Sequence, residues 1–300
     1  MESSLQLYGH INQFDFMNNL NQKGKFPKVL LLSGNKGIGK FTLINHFINY
    51  NFDKNNYNLK EKQISKNSNF NTKYKNNIYP NVIYMPGDSF KNVKVDDVRN
   101  LKSTLLKTIL GENKRYIILD DIELFNESSV NALLKIIEEP PKDNYFILIN
   151  NKSKPIKDTL RSRALELKFF LPEKDRIEII NYLIKENNLS DYFDPNIMNL
   201  TPGFFIYLNI FFLNNKINLE DKLINNFEKI LNLYRKNKDI NYIKALIFLS
   251  EYYFNKIIKN NSNNIEKIIE KKIFIIDKIN KFVIYKLNQA SLINIIKDKL

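Results

Sequence analysis

The 300-residue sequence predicts an α/β fold followed by an all-helical region, and three observations support this. Short apolar runs recur through the first half, each as long as a strand that is buried on both faces of a parallel sheet. One run leads through a glycine-rich turn into a helical pattern. After residue 171, apolar residues recur almost everywhere at helical spacing. We therefore expect a three-layer domain, a parallel sheet with helices on both faces, and then helices alone.

The first strand, turn and helix come early in the chain. Residues 29–32 form a continuous apolar run, and the stretch GNKGIGKFT at 34–42 follows directly. Leu43, Phe47 and Tyr50 then recur at helical spacing. Residues 51–77 are rich in Asn and Lys and show no sustained period, so we expect an insertion of loop or weak helix.

Later apolar runs predict the remaining strands at 79–85, 116–119 and 146–149. Between the last two, Asn126 is expected to cap a helix that Pro140 and Pro141 end. Beyond the sheet, the apolar pattern predicts an amphipathic helix and then the core of a helical bundle. These helical stripes lie at residues 173–187, 219–234, 240–258 and 265–300.

The composition limits the kinds of site. There is no cysteine and there are two histidines, so disulfides and thiolate metal sites are excluded and zinc is not expected. The net charge of +14 suits nucleic acid, but the lysines are scattered and support this only weakly. No secretory signal is visible, and the longest apolar run is far shorter than a membrane span, which favours a cytoplasmic protein. Arginine is rare, yet Arg161 and Arg163 lie close together, where a planar guanidinium is expected to matter.

The stretch at 34–42 resembles a phosphate-binding loop, G-x-x-x-x-G-K-[ST], with one difference. Phe41 stands where a hydroxyl would ligate Mg²⁺. Thr42 comes one residue late, about 100° around the helix, and should not reach the same metal position. We expect ATP or ADP to bind weakly at most. The phosphate cradle would come from Gly34, Gly37, Gly39 and Lys40.

Two carboxylates end a predicted buried strand. Asp120 fits the residue that holds Mg²⁺ through water. Asp121 stands where active ATPases of the oligomeric type usually carry Glu as the base that orients water. The shorter side chain matters, because a displacement of ~1 Å can cost on the order of a hundredfold in rate. Asp121 could equally cap a strand-to-loop turn, and the sequence leaves both interpretations open.

Two further stretches carry a family resemblance. NALLKIIEEPP at 131–141 resembles the signature helix of sliding-clamp loaders, members of the AAA+ superfamily, and TLRSRA at 159–164 resembles their S-R-C motif. Asn151 falls at the spacing of the family's sensor residue. The stretches at residues 7–10 and 26–28 resemble the family's N-terminal boxes. The resemblance covers about the first 170 residues. It implies an AAA+ P-loop domain at 1–170, a helical lid at 171–208 and a helical collar for oligomerisation at 209–300.

The resemblance is to the non-motor, delta-prime class of subunit in the bacterial DNA polymerase III clamp loader. The sequence differs from the motor class at three places: Phe41, Asp121 and the phenylalanines of TPGFF (201–205). At the last of these, a second sensor arginine would stand. This implies that Arg163 acts as a finger in trans on a neighbour's γ-phosphate, with Arg161 in a surface ion pair. The alternative is a gamma/tau-like ATPase that hydrolyses ATP at its own loop.

The same resemblance implies partners and a set of binding residues. The partners would be gamma/tau-type motor subunits and a clamp-opening delta-type subunit. The sliding clamp would be contacted indirectly, and primer-template DNA would be contacted through the assembled complex. Lys135 would face either a DNA channel or solvent, and the sequence leaves both open. The nucleotide-binding residues would be Gly34, Gly37, Gly39, Lys40, Thr42, Asp120 and Asn151.

Overall fold

The computed structural model describes residues 3–87, 93, 95–106, 114–189, 192–260 and 264–299. They divide into two units, one from Met1–Ile179 with Thr201–Gly203 and one from Ile180–Leu200 with Phe204–Leu300. The predicted domain boundaries at 170 and 208 stay predictions. Within the described residues, no helix is both long enough and apolar enough to cross a membrane.

A parallel sheet forms the centre of the first unit. Five strands pair in the order β4-β5-β6-β1-β7, and all of these pairs are parallel. Because paired strands run parallel, the chain must cross over between them, and helices on the faces of the sheet make these connections. The strands of the described residues are β1 (Val29–Ser33), β2 (Tyr57–Asn58), β3 (Gln63–Ile64), β4 (Val82–Pro86), β5 (Arg115–Asp120), β6 (Asn144–Asn150) and β7 (Leu165–Lys168).

Helices cover both faces of this sheet, as predicted. Because successive side chains of a strand point to opposite faces, Leu30 and Leu32 of β1 enter one apolar cluster and Leu31 enters the other. The first cluster packs on α1, α2 and α3, the second on α4, α5 and α6. These helices are α1 (Ile11–Gln22), α2 (Lys40–Phe52), α3 (Asn69–Lys75), α4 (Val95–Leu105), α5 (Glu127–Glu138) and α6 (Asp158–Arg161).

The Asn/Lys-rich insertion at 51–77 is more regular than the sequence predicts. A short antiparallel hairpin, β2 with β3, joins the expected helix, α3. Tyr57, Ile64 and Tyr74 are buried, and the Tyr57 ring stacks on Phe14 with 5.8 Å between centroids. The prediction of loop or weak helix is therefore wrong for the hairpin, since a few large side chains anchor it without any periodic pattern.

The chain beyond β7 is helical in its described part, as the apolar stripes predict. Apolar residues of the second unit form one core, with Phe205, Phe212, Phe227 and Phe248 fully or almost fully buried. The stripe that starts at Leu219 enters its helix only at Leu223. The helices are α7 (Glu173–Glu186), α8 (Pro202–Asn214), α9 (Leu223–Asn237), α10 (Ile240–Asn260), α11 (Ile265–Ile284) and α12 (Gln289–Lys297).

Candidate functional site

The glycine-rich turn between β1 and α2 has the backbone that the motif predicts. Gly37 and Gly39 adopt φ of 81° and 106°, which side-chain-bearing residues rarely reach. The Gly34 N–H donates to the Asn150 carbonyl at 3.1 Å, which ties the start of the turn to β6. His10 contacts the Ile38 carbonyl through Nε2 at 2.9 Å. We call this turn, together with Lys40, Asp120, Asp121 and Asn151, the loop site.

The Lys40 ammonium is bound by the turn itself. Its Nζ donates to the carbonyl oxygens of Gly34 at 2.6 Å and Asn35 at 2.8 Å, and the residue is 3% exposed. Burial lowers the pKa of Lys40 to about 8, although the neighbouring carboxylates, Asp120 first among them, oppose this. The charge that would neutralise a phosphate thus has two acceptors within its own loop.

An aromatic pair lies where a metal ligand would be expected. The Phe41 ring packs against Tyr84 with 5.2 Å between centroids, and the Tyr84 hydroxyl donates to Oδ2 of Asp120 at 3.1 Å. Oδ1 of Asp120 accepts from the Asp121 N–H at 2.8 Å and from Asn151 Nδ2 at 3.1 Å. Both carboxylate oxygens are therefore engaged within the protein. Burial, followed by the charge of Asp121, raises the pKa of Asp120.

Asp121 is held by two side chains, one of which the sequence did not single out. Lys36 Nζ donates to its Oδ2 at 2.6 Å, and Asn151 Nδ2 donates to its Oδ1 at 2.7 Å. Its backbone lies in the left-handed region at φ 49°. Asp121 occupies the N-cap position of a short 3-10 turn at Ile122–Leu124, although its side chain makes no capping hydrogen bond there. Its role, in capping or in orienting water, stays a prediction.

Glu123 is a third buried carboxylate at this edge of the sheet. It accepts from the Asn151 N–H at 3.1 Å and from the Ser153 hydroxyl at 2.8 Å. These bonds fix the backbone after β6, and with it the Asn151 amide that reaches Asp120 and Asp121. Glu123 contributes to the position of the predicted sensor residue.

The other predicted residues near the turn have different surroundings. Thr42 lies half-buried in the first turn of α2. Thr201 donates its hydroxyl to the Lys36 carbonyl at 2.7 Å, and the Gly203 N–H donates to the Gly37 carbonyl at 2.9 Å. A Cβ on Gly203 would lie 3.0 Å from Gly37 Cα, so this approach suits glycine.

Of the phenylalanines at the predicted second-sensor place, Phe205 belongs to the apolar core of the second unit and Phe204 packs against it, partly buried. Phe205 is fully buried, and Phe204 stacks on Tyr207 with 6.0 Å between centroids. Neither side chain carries a charge that could meet a phosphate.

Residues 157–164, which we call the arginine segment, follow Asn151 and precede β7. Arg163 donates from Nε at 2.9 Å and Nη2 at 2.7 Å to Oε1 of Glu138, the last residue of α5. Its side chain is 37% exposed. Arg161 is half-exposed and pairs with Asp158 and Glu166 at 3.7 and 3.6 Å, in agreement with the predicted surface ion pair.

The structure brings most predicted site residues together. Gly34, Gly37, Gly39, Lys40, Asp120, Asp121 and Asn151 share the edge at which β1, β5 and β6 end. Arg163 instead lies on the protein surface beside α5. Lys135 is exposed on the same helix, and whether it faces DNA or solvent stays a prediction. The contacting residues that the sequence analysis missed are Lys36, Tyr84, Glu123 and Glu138.

Comparisons with known proteins agree on one family. A family model described as DNA polymerase III, delta subunit matches residues 9–172. The DNA polymerase III subunit delta' of Buchnera aphidicola subsp. Schizaphis graminum is 30% identical over 191 residues, 61% of this chain and 52% of that protein. The gamma subunit of the same organism is 30% identical over 107 residues, 35% of this chain and 30% of that protein. The chain thus spans about half, or less, of the length of these relatives.

The fold has a relative among solved structures. A DNA polymerase III gamma subunit-related protein of Thermotoga maritima matches with a TM-score of 0.54 at 16% identity, covering 94% of this chain and 98% of that one. At this identity the likeness concerns the fold alone. With the parallel sheet, the strand–turn–helix and the helices that follow, it confirms the predicted AAA+ architecture.

Proposed function

This chain belongs to the DNA polymerase III delta subunit family, and on that basis we propose that it works as a delta-prime, non-motor subunit of a clamp loader. In that role it supports ATP-dependent loading of a sliding clamp onto primed DNA. The observation that carries the proposal is a contrast within the first unit. The chain's own loop site has an aromatic pair at the metal position, whereas Arg163 remains on the surface.

The first part of the proposal is an impaired ATP site. Octahedral Mg²⁺ needs oxygen ligands, and Phe41 supplies none. Asp120 already accepts hydrogen bonds from Tyr84, Asn151 and the Asp121 N–H, which leaves one of its about four acceptor positions for a metal-bound water. Asp121 is likewise paired with Lys36 rather than free to orient water. These contacts support weak nucleotide binding and little or no hydrolysis.

The second part is an arginine finger in trans. Arg163 would reach the γ-phosphate held by a neighbouring motor subunit and stabilise the charge that spreads over the transferring phosphoryl group. Such fingers contribute ~10³–10⁵ in rate, and the planar fork of donors suits phosphate better than a lysine would. The partial exposure of Arg163 supports this role, because a side chain that acts on another subunit must be accessible.

The proposed partners follow from the family. They are gamma/tau-type motor subunits and a clamp-opening delta-type subunit, with the helices of the second unit contributing to a collar. Contact with the sliding clamp would be indirect, and contact with primer-template DNA would occur through the assembled complex in the cytoplasm.

Arg163→Ala in the reconstituted complex tests this function. ATP turnover should fall sharply while the complex still assembles, since the finger would act on the transition state and not on assembly. Arg161→Ala is the matched control, being a second, more exposed arginine of the same segment, and should leave turnover unchanged. Unchanged turnover with Arg163→Ala contradicts the proposal. Hydrolysis of ATP by the isolated chain would favour the gamma/tau-like alternative.

A further inference from the structure

The end of the signature helix contacts the proposed finger directly. Oε1 of Glu138 accepts two bonds from Arg163, from Nε at 2.9 Å and from Nη2 at 2.7 Å. Nη1 of Arg163 donates to the Thr159 carbonyl at 3.0 Å and lies 3.4 Å from the Ser162 hydroxyl. A long side chain that would otherwise sample many rotamers is thus fixed at three nitrogen atoms.

These contacts occupy one edge of the guanidinium more fully than the other. An arginine offers five N–H donors in a plane. Glu138 takes the side-on edge, formed by Nε and Nη2. On the end-on edge, formed by Nη1 and Nη2, Nη2 keeps one donor, whereas Nη1 also donates to the Ser162 hydroxyl at 3.4 Å, a long bond that a phosphate oxygen would replace. That second edge is the one still able to bind two oxygens of a phosphate side by side.

We propose that Glu138 is a positioning residue for Arg163: it holds the side-on edge so that the end-on edge is presented to the γ-phosphate of the neighbouring subunit. The proposal rests on the trans-acting function of Arg163 given above. Its physical basis is that a donor already oriented loses less conformational freedom when the phosphate arrives. Glu138 touches no reacting atom and acts through Arg163 alone.

Charge alone would have the opposite effect. A carboxylate beside the guanidinium weakens its positive field, so its removal would raise activity if the field dominated. A glutamine separates orientation from charge. Because a single oxygen, Oε1, accepts both bonds, Glu138→Gln can keep the acceptor while removing the charge, and Glu138→Ala removes both.

The matched control is another glutamate of α5. Glu127 in its first turn pairs with Lys157 of the arginine segment at 2.7 Å, as Glu138 in the last turn pairs with Arg163. Both glutamates are exposed, at 78% and 48%, so neither substitution should prevent folding. Glu127→Ala therefore removes an ion pair between α5 and the arginine segment without altering the contacts of Arg163.

The experiment measures kcat and KM for ATP in the full reconstituted complex. Glu138→Ala should lower kcat about tenfold with KM unchanged, since misplacing a catalytic group by ~1 Å can cost up to a hundredfold. Glu138→Gln should stay within about twofold of the unsubstituted complex, on the same reasoning that geometry decides. Glu127→Ala should change neither constant. Glu138→Ala should have no further effect once Arg163→Ala is present, because it acts through that residue.

Three outcomes would overturn the assignment. They are an unchanged or higher kcat in Glu138→Ala, an equal loss in Glu138→Gln, and a full additional loss in the Arg163→Ala background. If Arg163→Ala itself has no effect, the trans-acting function fails and this inference fails with it. If Arg163→Ala lowers turnover and Glu138→Ala does not, the positioning role alone is wrong.

Discussion

The loop site and the arginine segment differ in how far their charged side chains are buried. In the loop site, Lys40 is 3% exposed and the Asp121 side chain 6%, and every ionisable group described above has partners from the same chain. In the arginine segment, Arg163 and Arg161 are 37% and 51% exposed, and their partners Glu138 and Asp158 are exposed carboxylates, although Glu166 is partly buried. Breaking a buried pair leaves a stranded charge, whereas an exposed pair contributes about 0–1 kcal/mol. The loop site should therefore matter for stability, and the segment can exchange partners at little cost.

The largest expected effect is on the backbone beside the loop-site carboxylates. A Cβ added at Gly87 would lie 2.4 Å from the Asp121 carbonyl oxygen and 3.2 Å from that of Asp120. Neither backbone atom can move without disturbing the end of β5. We expect Gly87→Ala to lower the free energy of unfolding by about 3 kcal/mol or more. Denaturant unfolding measures this.

Gly24→Ala is the control for that substitution. Nothing lies within 4 Å of its added Cβ, although φ is +67°. Its cost should be about 1 kcal/mol, from backbone strain alone. An equal loss in the two variants would show that the contact with Asp121 is not decisive.

The next effect is a pH dependence confined to the loop side of the comparison. His46, on the helix that follows the loop, is fully buried between the Tyr57 hydroxyl and the Ser4 carbonyl, and burial lowers its pKa to about 4. The unfolded chain, with an ordinary histidine pKa near 6.5, binds more protons between these values. Stability should therefore fall as the pH drops from about 6.5 to 4, by up to about 3 kcal/mol.

His46→Gln should remove this contribution. The free energy of unfolding, measured at pH 4, 5 and 7, should depend less steeply on pH in the variant than in the unsubstituted protein. Some dependence should remain in both proteins, because both contain the same carboxylates. The arginine segment contains no histidine. Identical slopes would mean that His46 titrates alike in the folded and unfolded chain.

The smallest effect compares two lysine–carboxylate pairs of similar length. Lys36 binds the buried Asp121 at 2.6 Å, and Lys157 binds the exposed Glu127 at 2.7 Å. Lys36→Met should cost about 1–2 kcal/mol, less than a fully buried pair because Lys36 is half-exposed. Lys157→Met should cost less than about 0.5 kcal/mol. Equal losses in urea unfolding would contradict the difference drawn between the two regions.

The sequence predicted four of the five strands of the parallel sheet but missed one edge strand and one helix. The apolar runs located β1, β5 and β6 because those strands are buried, and they located β4 because its first four residues are apolar although only Val82 is buried. The edge strand β7 was missed, since its four residues, LELK, alternate apolar and charged side chains without any continuous run. Helix α1 was missed as well. It buries only Phe14, Met17 and Asn18 of an Asn-rich segment, so its apolar face gives too weak a period.

The site could be predicted where a motif constrains the residue. The glycines, Lys40, Asp120 and Asn151 come together as their spacing implied. Lys36 and Tyr84 could not be found this way, because the first occupies a variable position of the motif and the second belongs to another strand. The roles assigned to these residues in nucleotide binding stay predictions.

The sequence by itself determined the strand–turn–helix, the aromatic residue in place of a hydroxyl, and the retained arginine pair, because each depends on neighbours along the chain. Only the tertiary structure decided which groups satisfy the charges. Asp120 meets Tyr84 and Asn151 since β4, β5 and β6 end at one edge of the sheet. Arg163 meets a glutamate 25 residues away because α5 ends beside the arginine segment. Such partners are set by how the elements pack, and no local pattern encodes them.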